Sequence, residues 1–145
     1  MGGGMNTGMK INPYLNFDGT AEEAFTFYRS VFGGEFSQVE RFGSMPGAAV
    51  PGDETNRIMH IALQVGETLL MGCDTAPSRG HVLIPGNNVH LSLHPETLDE
   101  ARRLFGALSD GGVPDMPFEK MFWGAWYGAF TDRFGIRWMI NFAER

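Results

Sequence analysis

The sequence predicts an α+β protein made of two βαβββ repeats, and three features of the chain support this fold class. A segment near the N-terminus is repeated later in the chain, both copies open on the same helix-start pattern, and short β-type segments follow each copy. A duplicated unit determines an architecture more firmly than the propensity of any single position. We therefore place the first repeat at about residues 11–75 and the second at about residues 88–143.

The internal similarity is clearest in the two predicted helices. An ungapped alignment of the copies pairs Thr20 with Thr97, Glu23 with Glu100, Ala24 with Ala101, Phe27 with Leu104, Tyr28 with Phe105, Val31 with Leu108 and Gly34 with Gly111. Thr-x-x-Glu is a capping box, in which the hydroxyl and the carboxylate each accept a hydrogen bond from an unpaired backbone amide. The apolar positions recur every three or four residues, so each helix buries one face, and the glycines end it. Both helices are therefore expected to begin in the same way.

Short runs of β-branched and aromatic residues, separated by turn residues, surround the helices. They predict strands at residues 11–17, 35–42, 58–65, 68–73, 88–93, 113–118, 124–131 and 136–142. Residues 43–56 are rich in Gly and Pro and predict a mobile loop, which is either a simple surface excursion or a lid over the ligand site. Residues 1–10 are Gly-rich and predict a flexible tail, which leaves residues 11–145 as a single domain.

The composition argues against several classes of protein. The formal net charge is −6 and the 11 Lys and Arg residues are scattered, so no nucleic-acid partner is expected. No apolar run approaches the roughly 18 residues of a membrane span, and no signal-peptide pattern opens the chain, so we expect a cytoplasmic protein that does not enter a membrane. Cys73 is the only cysteine, which suits a reducing compartment, and its apolar neighbours predict a small core residue.

Three stretches of the chain are distinctive: NPYLNFDGTAEEAFTFYRSVFGGE, MHIALQVGETLLMGCD and FWGAWYGAFTDRFGIRWMINF. They resemble, in turn, the opening strand and helix, the middle strands and the closing strands of the PhnB-like branch of the vicinal oxygen chelate superfamily, which includes glyoxalases, bleomycin-resistance proteins and extradiol dioxygenases. The resemblance runs from about residue 11 to residue 142 and is most specific at Phe122, Trp123, Gly124, Asp132, Phe134, Gly135 and Trp138. It implies a glyoxalase-like fold, in which two half-open sheets enclose a cavity, and it points to a homodimer.

The resemblance does not determine a reaction, because this fold hosts isomerases, dioxygenases, thiol transferases and proteins that sequester antibiotics. Some PhnB-like sequences carry a demethylubiquinone methyltransferase description. No G-x-G-x-x-G motif follows a predicted strand in this chain, so the sequence predicts no nucleotide-type cofactor. The function has to be argued from the residues of the site.

The resemblance also implies positions for a metal site. Metal-dependent relatives usually supply a His, Gln or Glu from the first strand of each repeat and a carboxylate from the last strand of each repeat. His90 stands at one of these positions, whereas Pro13, Leu70 and Met139 stand at or beside the other three. A catalytic divalent ion needs about three protein ligands, so we expect no metal and no other cofactor.

Two histidines are the candidates for catalysis without a metal. His60 and His90 are predicted to lie in strands, and histidine is the side chain whose ordinary pKa lies nearest to neutral pH. The alternative is a metal site made of His60, His90 and Asp74, although a strand histidine is more often a hydrogen-bonded structural residue. Asp74 and Asp132 stand at strand ends, where aspartate most often caps a turn.

A cavity lined by aromatic and polar side chains is expected between the sheets, and such walls suit a flat or partly apolar small molecule. Strand alternation places His90 with Ser92, and Met139 with Asn141, on shared faces. The predicted ligand-binding residues are Ser92, Trp123, Trp126, Phe130, Met139 and Asn141. The alternative for each aromatic residue is a place in the core or in a dimer interface.

The sequence leaves three functions open. The chain is a metal-free protein that binds a small molecule, an enzyme of the glyoxalase or dioxygenase type that acts on a small organic substrate, or an interaction module that uses the fold as a scaffold. A homodimer is expected, because two half-open sheets leave apolar edges that one chain has little material to cover. In the dimer, either each chain completes its own cavity or sheets from two chains combine to form the sites.

Overall fold

The computed structural model describes residues 8–44, 47 and 50–144. Residues 1–7 of the predicted tail, residues 45–46 and 48–49 of the predicted loop, and residue 145 lie outside the described residues. The first repeat contains β1 (Tyr14–Phe17), α1 (Ala21–Phe32), β2 (Phe36–Arg41), β3 (Ile58–Val65) and β4 (Thr68–Asp74). The second contains β5 (Leu91–Leu93), α2 (Leu98–Ser109), β6 (Val113–Lys120), β7 (Ala125–Thr131) and β8 (Arg137–Ala143). The order βαβββ occurs twice, and the predicted fold class is confirmed.

The strands form two four-stranded sheets of the same topology. The first sheet has the order β1-β4-β3-β2 and the second has the order β5-β8-β7-β6. In each sheet the opening strand pairs in parallel with the closing strand, and the other pairs are antiparallel. Both opening strands are shorter than predicted. β1 begins only after Pro13, because proline has no N–H to donate to a neighbouring strand, and β5 pairs with β8 only from Leu91 onwards.

The two helices and the sheet faces beneath them share one hydrophobic core. The buried helix residues include Ala24, Phe25, Tyr28 and Val31 of α1 and Ala101, Leu104 and Leu108 of α2. The sequence predicted that Phe27 lies on the buried face of α1. In the structure Phe27 is only half-buried, and Phe25 is the residue that is completely buried. Phe27 contacts Phe134 of the second repeat instead, with ring centroids 5.8 Å apart, so α1 packs against both repeats. No helix among the described residues is long and apolar enough to cross a membrane.

Two strand glycines allow an aromatic ring of a helix to lie directly on a sheet. A Cβ atom at Gly72 of β4 would lie 2.7 Å from Phe25 Cε1 and 2.8 Å from the carbonyl oxygen of Leu15. A Cβ atom at Gly128 of β7 would lie 2.7 Å from Phe105 Cε2. These distances are too short for any side chain, so the close approach of helix and strand requires glycine at both positions.

The two helices do not begin in the same way, so this prediction is wrong for α1. Thr97 is extended, and its Oγ1 accepts a hydrogen bond at 3.1 Å from the amide three residues further on, as a helix cap should. Thr20 has φ −109° and ψ 11°, and its side chain makes no capping bond. Asp74, at the end of β4, takes this role, because its Oδ1 accepts from Gly19 N and Ala21 N at 2.9 Å each.

The described ends of the segment between β2 and β3 are anchored to the fold. Gly43 N donates to Thr55 O at 2.9 Å, which closes the two ends on each other. Glu54 is only 5% exposed, and its carboxylate accepts from Ser78 Oγ at 2.9 Å. The buried acid therefore ties these ends to residues 75–90, the segment between the repeats, and the mobility of the loop stays a prediction.

Candidate functional site

Each sheet has one face against the helices and one face that no described helix covers. In the first sheet, Gly72 lies under Phe25 of α1, so Gly72 and its cross-strand partners Leu15 and Ile61 belong to the helix side. The alternating positions point to the other side. We call this other side the open face of the first sheet, and it carries Tyr14, Asn16, Gln38, Glu40, His60, Met71 and Cys73.

His60 is held on the first open face by two hydrogen bonds. Its Nδ1 lies 3.1 Å from the hydroxyl of Tyr14, and its Nε2 lies 3.0 Å from Oε1 of Gln38. An amide oxygen only accepts, so Nε2 donates to Gln38, and Nδ1 faces the hydroxyl of Tyr14. The Tyr14 and His60 rings are also stacked, with centroids 5.7 Å apart. Side chains of β1 and β2 thus hold the imidazole of β3 in one orientation.

Cys73 lies beside this group on the open face, so the prediction of a core residue is wrong. Its Sγ donates to Asn16 Oδ1 at 3.4 Å, and the register of β3 and β4, extended by one residue, places it opposite His60. Burial raises the pKa of the thiol, and burial, with a smaller contribution from Cys73, raises the pKa of Tyr14 to about 12. Both groups are therefore protonated at neutral pH, and Cys73 is not an activated nucleophile, which requires the thiolate.

His90 lies elsewhere, in a cavity of about 700 Å³ between the edges of the two sheets. The lining of this cavity includes Phe32, Leu70, His90, Ser92, His94 and Trp138. Ser92 Oγ and His94 Nε2 lie 3.1 Å apart, so two of the polar groups already contact each other. His60 is not in the lining and makes its hydrogen bonds on the first open face. The described part of one chain therefore does not bring the two predicted catalytic histidines together.

The open face of the second sheet carries three of the predicted ligand-binding residues. Ser92 pairs with Met139, and Tyr127 pairs with Asn141, on the side opposite Gly128 and α2. Ser92, Met139 and Asn141 therefore share a face as predicted, and their contact with a ligand stays a prediction. The sequence pattern did not single out Tyr127, although strand alternation from Asn141 and the β7–β8 register would have found it.

The other three predicted ligand-binding residues lie away from this face. Phe130 is completely buried, and its ring meets Phe105 of α2 edge to face at 5.3 Å. Trp126 lies on the same helix side, stacked on Phe118 with ring centroids 5.7 Å apart. Trp123 lies in the turn between β6 and β7 and is 58% exposed. Phe130 and Trp126 therefore pack on the helix side of the sheet, and a contact of either ring with a ligand stays a prediction.

Asp74 is 3% exposed, and its carboxylate accepts hydrogen bonds from three backbone amides. Its Oδ1 binds Gly19 N and Ala21 N, and its Oδ2 accepts from Ile58 N at 2.8 Å.

Within residues 8–44, 47 and 50–144, no three His, Cys, Asp or Glu side chains are placed to hold an ion. At the positions that metal-dependent relatives use, His90 is the one side chain of ligand type, which does not fit a catalytic divalent ion.

Asp132 is also 3% exposed and connects the two repeats inside the core. Its Oδ1 accepts from Phe134 N at 2.8 Å and Ile136 N at 3.0 Å, which confirms the predicted turn cap. Its Oδ2 accepts from the Tyr28 hydroxyl at 2.6 Å and from Trp138 Nε1 at 2.8 Å. Four donors satisfy this buried carboxylate, so it is not available to a ligand.

A family model described as 3-demethylubiquinone-9 3-methyltransferase matches residues 9–141. The chain belongs to this family. Protein YjdN of Escherichia coli (strain K12) is 30% identical over 94% of this chain and 97% of its own length. The crystal structure of protein PA1353 from Pseudomonas aeruginosa has a TM-score of 0.84 at 39% identity, covering 94% of this chain and 99% of that one. A putative 3-demethylubiquinone-9 3-methyltransferase, PhnB protein, from Bacillus cereus has a TM-score of 0.74 at 24% identity, covering 93% and 100%.

The predicted resemblance to PhnB-like proteins is thereby confirmed at the level of the family, and solved structures of a glyoxalase/bleomycin resistance protein/dioxygenase family enzyme and of a fosfomycin resistance protein share the predicted fold. The description of the family names a methyl transfer, for which a nucleotide-type methyl donor would be required. Nucleotide-type cofactors commonly bind at a Gly-rich turn between a strand and a helix start. In this PhnB-like chain the Asp74 carboxylate accepts hydrogen bonds from backbone amides at the start of α1, and the Thr97 hydroxyl accepts one from a backbone amide at the start of α2. These turns do not fit such a donor.

Proposed function

We propose that this PhnB-like protein binds a small organic molecule on the open faces of its two sheets, without a divalent metal at the positions that metal-dependent relatives use. The observation that supports this most strongly is the cluster of hydrogen-bonding side chains Tyr14, Gln38, His60 and Cys73 on a face that no described helix covers. The neutral hydroxyl of Tyr14, amide of Gln38 and thiol of Cys73, beside the apolar side chain of Met71, suit the uncharged polar part of an organic ligand. Covering them with a ligand costs less than covering ionised groups would.

The second candidate is an enzyme of the glyoxalase or dioxygenase type that acts on a small organic substrate, with His60 as general acid or base. The 3.1 Å contact with Tyr14 favours it, because the imidazole is oriented and lies within reach of a proton donor. His90 would join His60, as acid, base or metal ligand, only where a partner chain brought the two together. Turnover of a bound ligand, lost in His60→Ala and retained in His81→Ala, would distinguish this candidate from simple binding.

Binding at the first open face is testable before the natural ligand is known. A library of small aromatic and heteroaromatic fragments is screened by saturation-transfer NMR, and the tightest hit becomes the probe. We expect His60→Ala to weaken the probe about tenfold or more, because Tyr14 and Gln38 lose their common partner. The matched control is His81→Ala, which changes an exposed histidine between the repeats. Equal probe affinity in His60→Ala and the wild type would contradict the proposal.

We also propose that the protein is a homodimer. The segment between the repeats exposes apolar side chains, with Ile84 83% exposed and Val82 78% exposed, and Ile11 before β1 is 91% exposed. Apolar side chains exposed in one region commonly mark an interface. A second copy of the chain suits this interface, because each copy offers two uncovered open faces of the same kind.

Sedimentation at micromolar concentration is expected to show a species of twice the 16.0 kDa chain mass. Mixing two variants then separates the two arrangements, because His60→Ala changes the first open face and Asn141→Ala changes the second. Where sheets of two chains combine, a mixed dimer regains one intact site of two. Where each chain completes its own cavity, mixing restores no binding. A species of single-chain mass that still binds the fragment probe would contradict the dimer.

The location we propose is the cytoplasm. The only cysteine, Cys73, carries a free thiol. Reducing compartments keep thiols free, whereas small exported proteins commonly depend on disulfides. The formal net charge of −6 likewise argues against nucleic acid as a partner, because contacts to a phosphate backbone need clustered positive charge.

A further inference from the structure

A second cavity, of about 350 Å³, lies where the two repeats meet, and neither His60 nor His90 lines it. It is bounded by β1, by the segment between the repeats and by the turn that leads into β8. Its polar lining includes Tyr14, Asn16, Asn88 and Arg137, and its apolar lining includes Leu83 and Phe134. The cavity therefore combines a few polar groups with hydrocarbon surface.

Arg137 is the one charged side chain in the described lining, and no carboxylate accompanies it there. Its Nη1 donates to the carbonyl oxygen of Asn87, which positions the guanidinium beside the segment between the repeats. Arg57, Arg103 and Arg133 each pair with a carboxylate within 3.2 Å, whereas no described carboxylate lies within 4.0 Å of Arg137. A cation kept apart from carboxylates on the wall of a partly apolar cavity attracts an anion.

We propose that this cavity binds the carboxylate of a small apolar organic acid, with Arg137 as the residue that holds the carboxylate. A guanidinium has five N–H donors in a fixed fork, and Asn87 uses one of them, which leaves the others for the two oxygens of a carboxylate. Leu83 and Phe134 provide contact surface for a hydrocarbon tail. Inorganic phosphate suits the cavity less well, because its additional charge would be desolvated against apolar walls with one cation to balance it. This inference goes beyond the proposed function, since neither His60 nor His90 lines the cavity, which shares Tyr14 and Asn16 with the first open face and Val89 and Leu91 with the larger cavity.

The probe for this site is hexanoate, compared with hexanamide, which has nearly the same shape and no charge. NMR titrations of the full chain are expected to give a dissociation constant about tenfold or more lower for hexanoate, because charge-assisted hydrogen bonds are the stronger ones. Arg137→Gln is expected to abolish this difference. Arg137→Lys keeps the charge without the fork and is expected to retain only part of it.

The matched control is Lys120→Gln, which removes a positive charge at the other end of the second sheet. Lys120 pairs with Trp126 near the start of β7, whereas Arg137 pairs with Thr131 at its end. This variant is expected to leave both dissociation constants unchanged, so a general effect of net charge would be visible.

Several results would overturn the proposal. Equal affinities of the wild type for hexanoate and hexanamide, no binding of either probe, or unchanged hexanoate binding in Arg137→Gln would each do so. Tighter binding of inorganic phosphate than of hexanoate would assign the cavity to a different class of ligand. A thermal melt shows whether Arg137→Gln folds, and if it does not, Arg137→Lys decides, since full hexanoate affinity in that variant contradicts the role of the fork. Loss of the fragment probe in His60→Ala, with hexanoate binding unchanged, bears only on the proposed function.

Discussion

Replacing Asp132 with alanine is expected to lower the free energy of unfolding by about 3–5 kcal/mol, among the largest losses that a single substitution causes. The Asp132 carboxylate accepts from Phe134 N, Ile136 N, the Tyr28 hydroxyl and Trp138 Nε1 inside the core. Alanine would leave these donors without their acceptor, and each buried donor without a partner costs about 1–3 kcal/mol. Urea unfolding at one fixed protein concentration measures the loss, since a dimer would make stability depend on concentration.

Two further variants separate the carboxylate from a general effect of substitution. Asp132→Asn has the same shape, but its amide group would meet Trp138 Nε1, which only donates, so we expect a loss of about 2 kcal/mol. The control is Asp110→Ala, which removes an ion pair with Arg133 at a side chain that is 78% exposed. That pair is expected to contribute less than about 1 kcal/mol. A loss below about 1 kcal/mol for Asp132→Ala would contradict the role assigned to this network.

The second large loss is expected for Tyr28→Ala, at about 3–5 kcal/mol. Tyr28 is completely buried, and its ring meets Phe25 and Trp138 edge to face, with centroids 5.6 Å away in each case. Removal of the ring would open a cavity between α1 and β8, where the two repeats meet. The loss includes both the missing apolar contacts and the missing hydrogen bond to Asp132.

Tyr28→Phe isolates the hydrogen bond, and we expect it to cost about 1–2 kcal/mol. Burial, together with the nearby carboxylate of Asp132, raises the pKa of Tyr28, so its hydroxyl remains a donor at any pH used for the measurement. Combined with Asp132→Asn, the substitution is expected to cost less than the sum of the single losses, because both remove the same contact. If Tyr28→Ala and Tyr28→Phe lowered the free energy of unfolding equally, the contacts of the Tyr28 ring with Phe25 and Trp138 would not stabilise the protein, which would contradict this prediction.

These two residues explain the most specific part of the family resemblance. Asp132, Phe134 and Trp138 of the closing motif all contact Tyr28, either through a hydrogen bond or through ring packing. Their spacing follows from the β7–β8 turn, which places the carboxylate between two backbone amides and an indole. The motif therefore holds α1 of one repeat against β8 of the other, and it identifies the fold rather than a reaction.

The architecture was predictable because its signals are local and periodic. Helix spacing in the two copies, alternation in the strands and glycines at the helix ends each act over a few residues. The duplicated pattern then determined the order of the elements without any long-range contact. The first open face was partly predictable too, since alternation along β3 separates His60 and Gln64 from Ile61 and Leu63.

What sequence analysis missed depends on tertiary packing. Both sides of β7 carry aromatic or small apolar residues, so alternation alone did not show that Trp126 and Phe130, rather than Tyr127, face the helix. The cap at the start of α1 comes from Asp74, which is distant in sequence, and the local Thr20 pattern concealed it. The hydrogen bond between Tyr14 and His60 likewise joins separate strands and appears only when the register is known.

The claim that the open faces bind the ligand is tested most directly by methyl NMR on protein labelled at methionine. Met71 lies on the first open face and Met139 on the second, whereas Met121 lies between β6 and β7 and serves as an internal control. Titration with the tightest fragment from the screen is expected to shift the methyl signals of Met71 and Met139 and to leave that of Met121 in place. A fragment that binds with His60-dependent affinity and shifts neither Met71 nor Met139 would contradict the account.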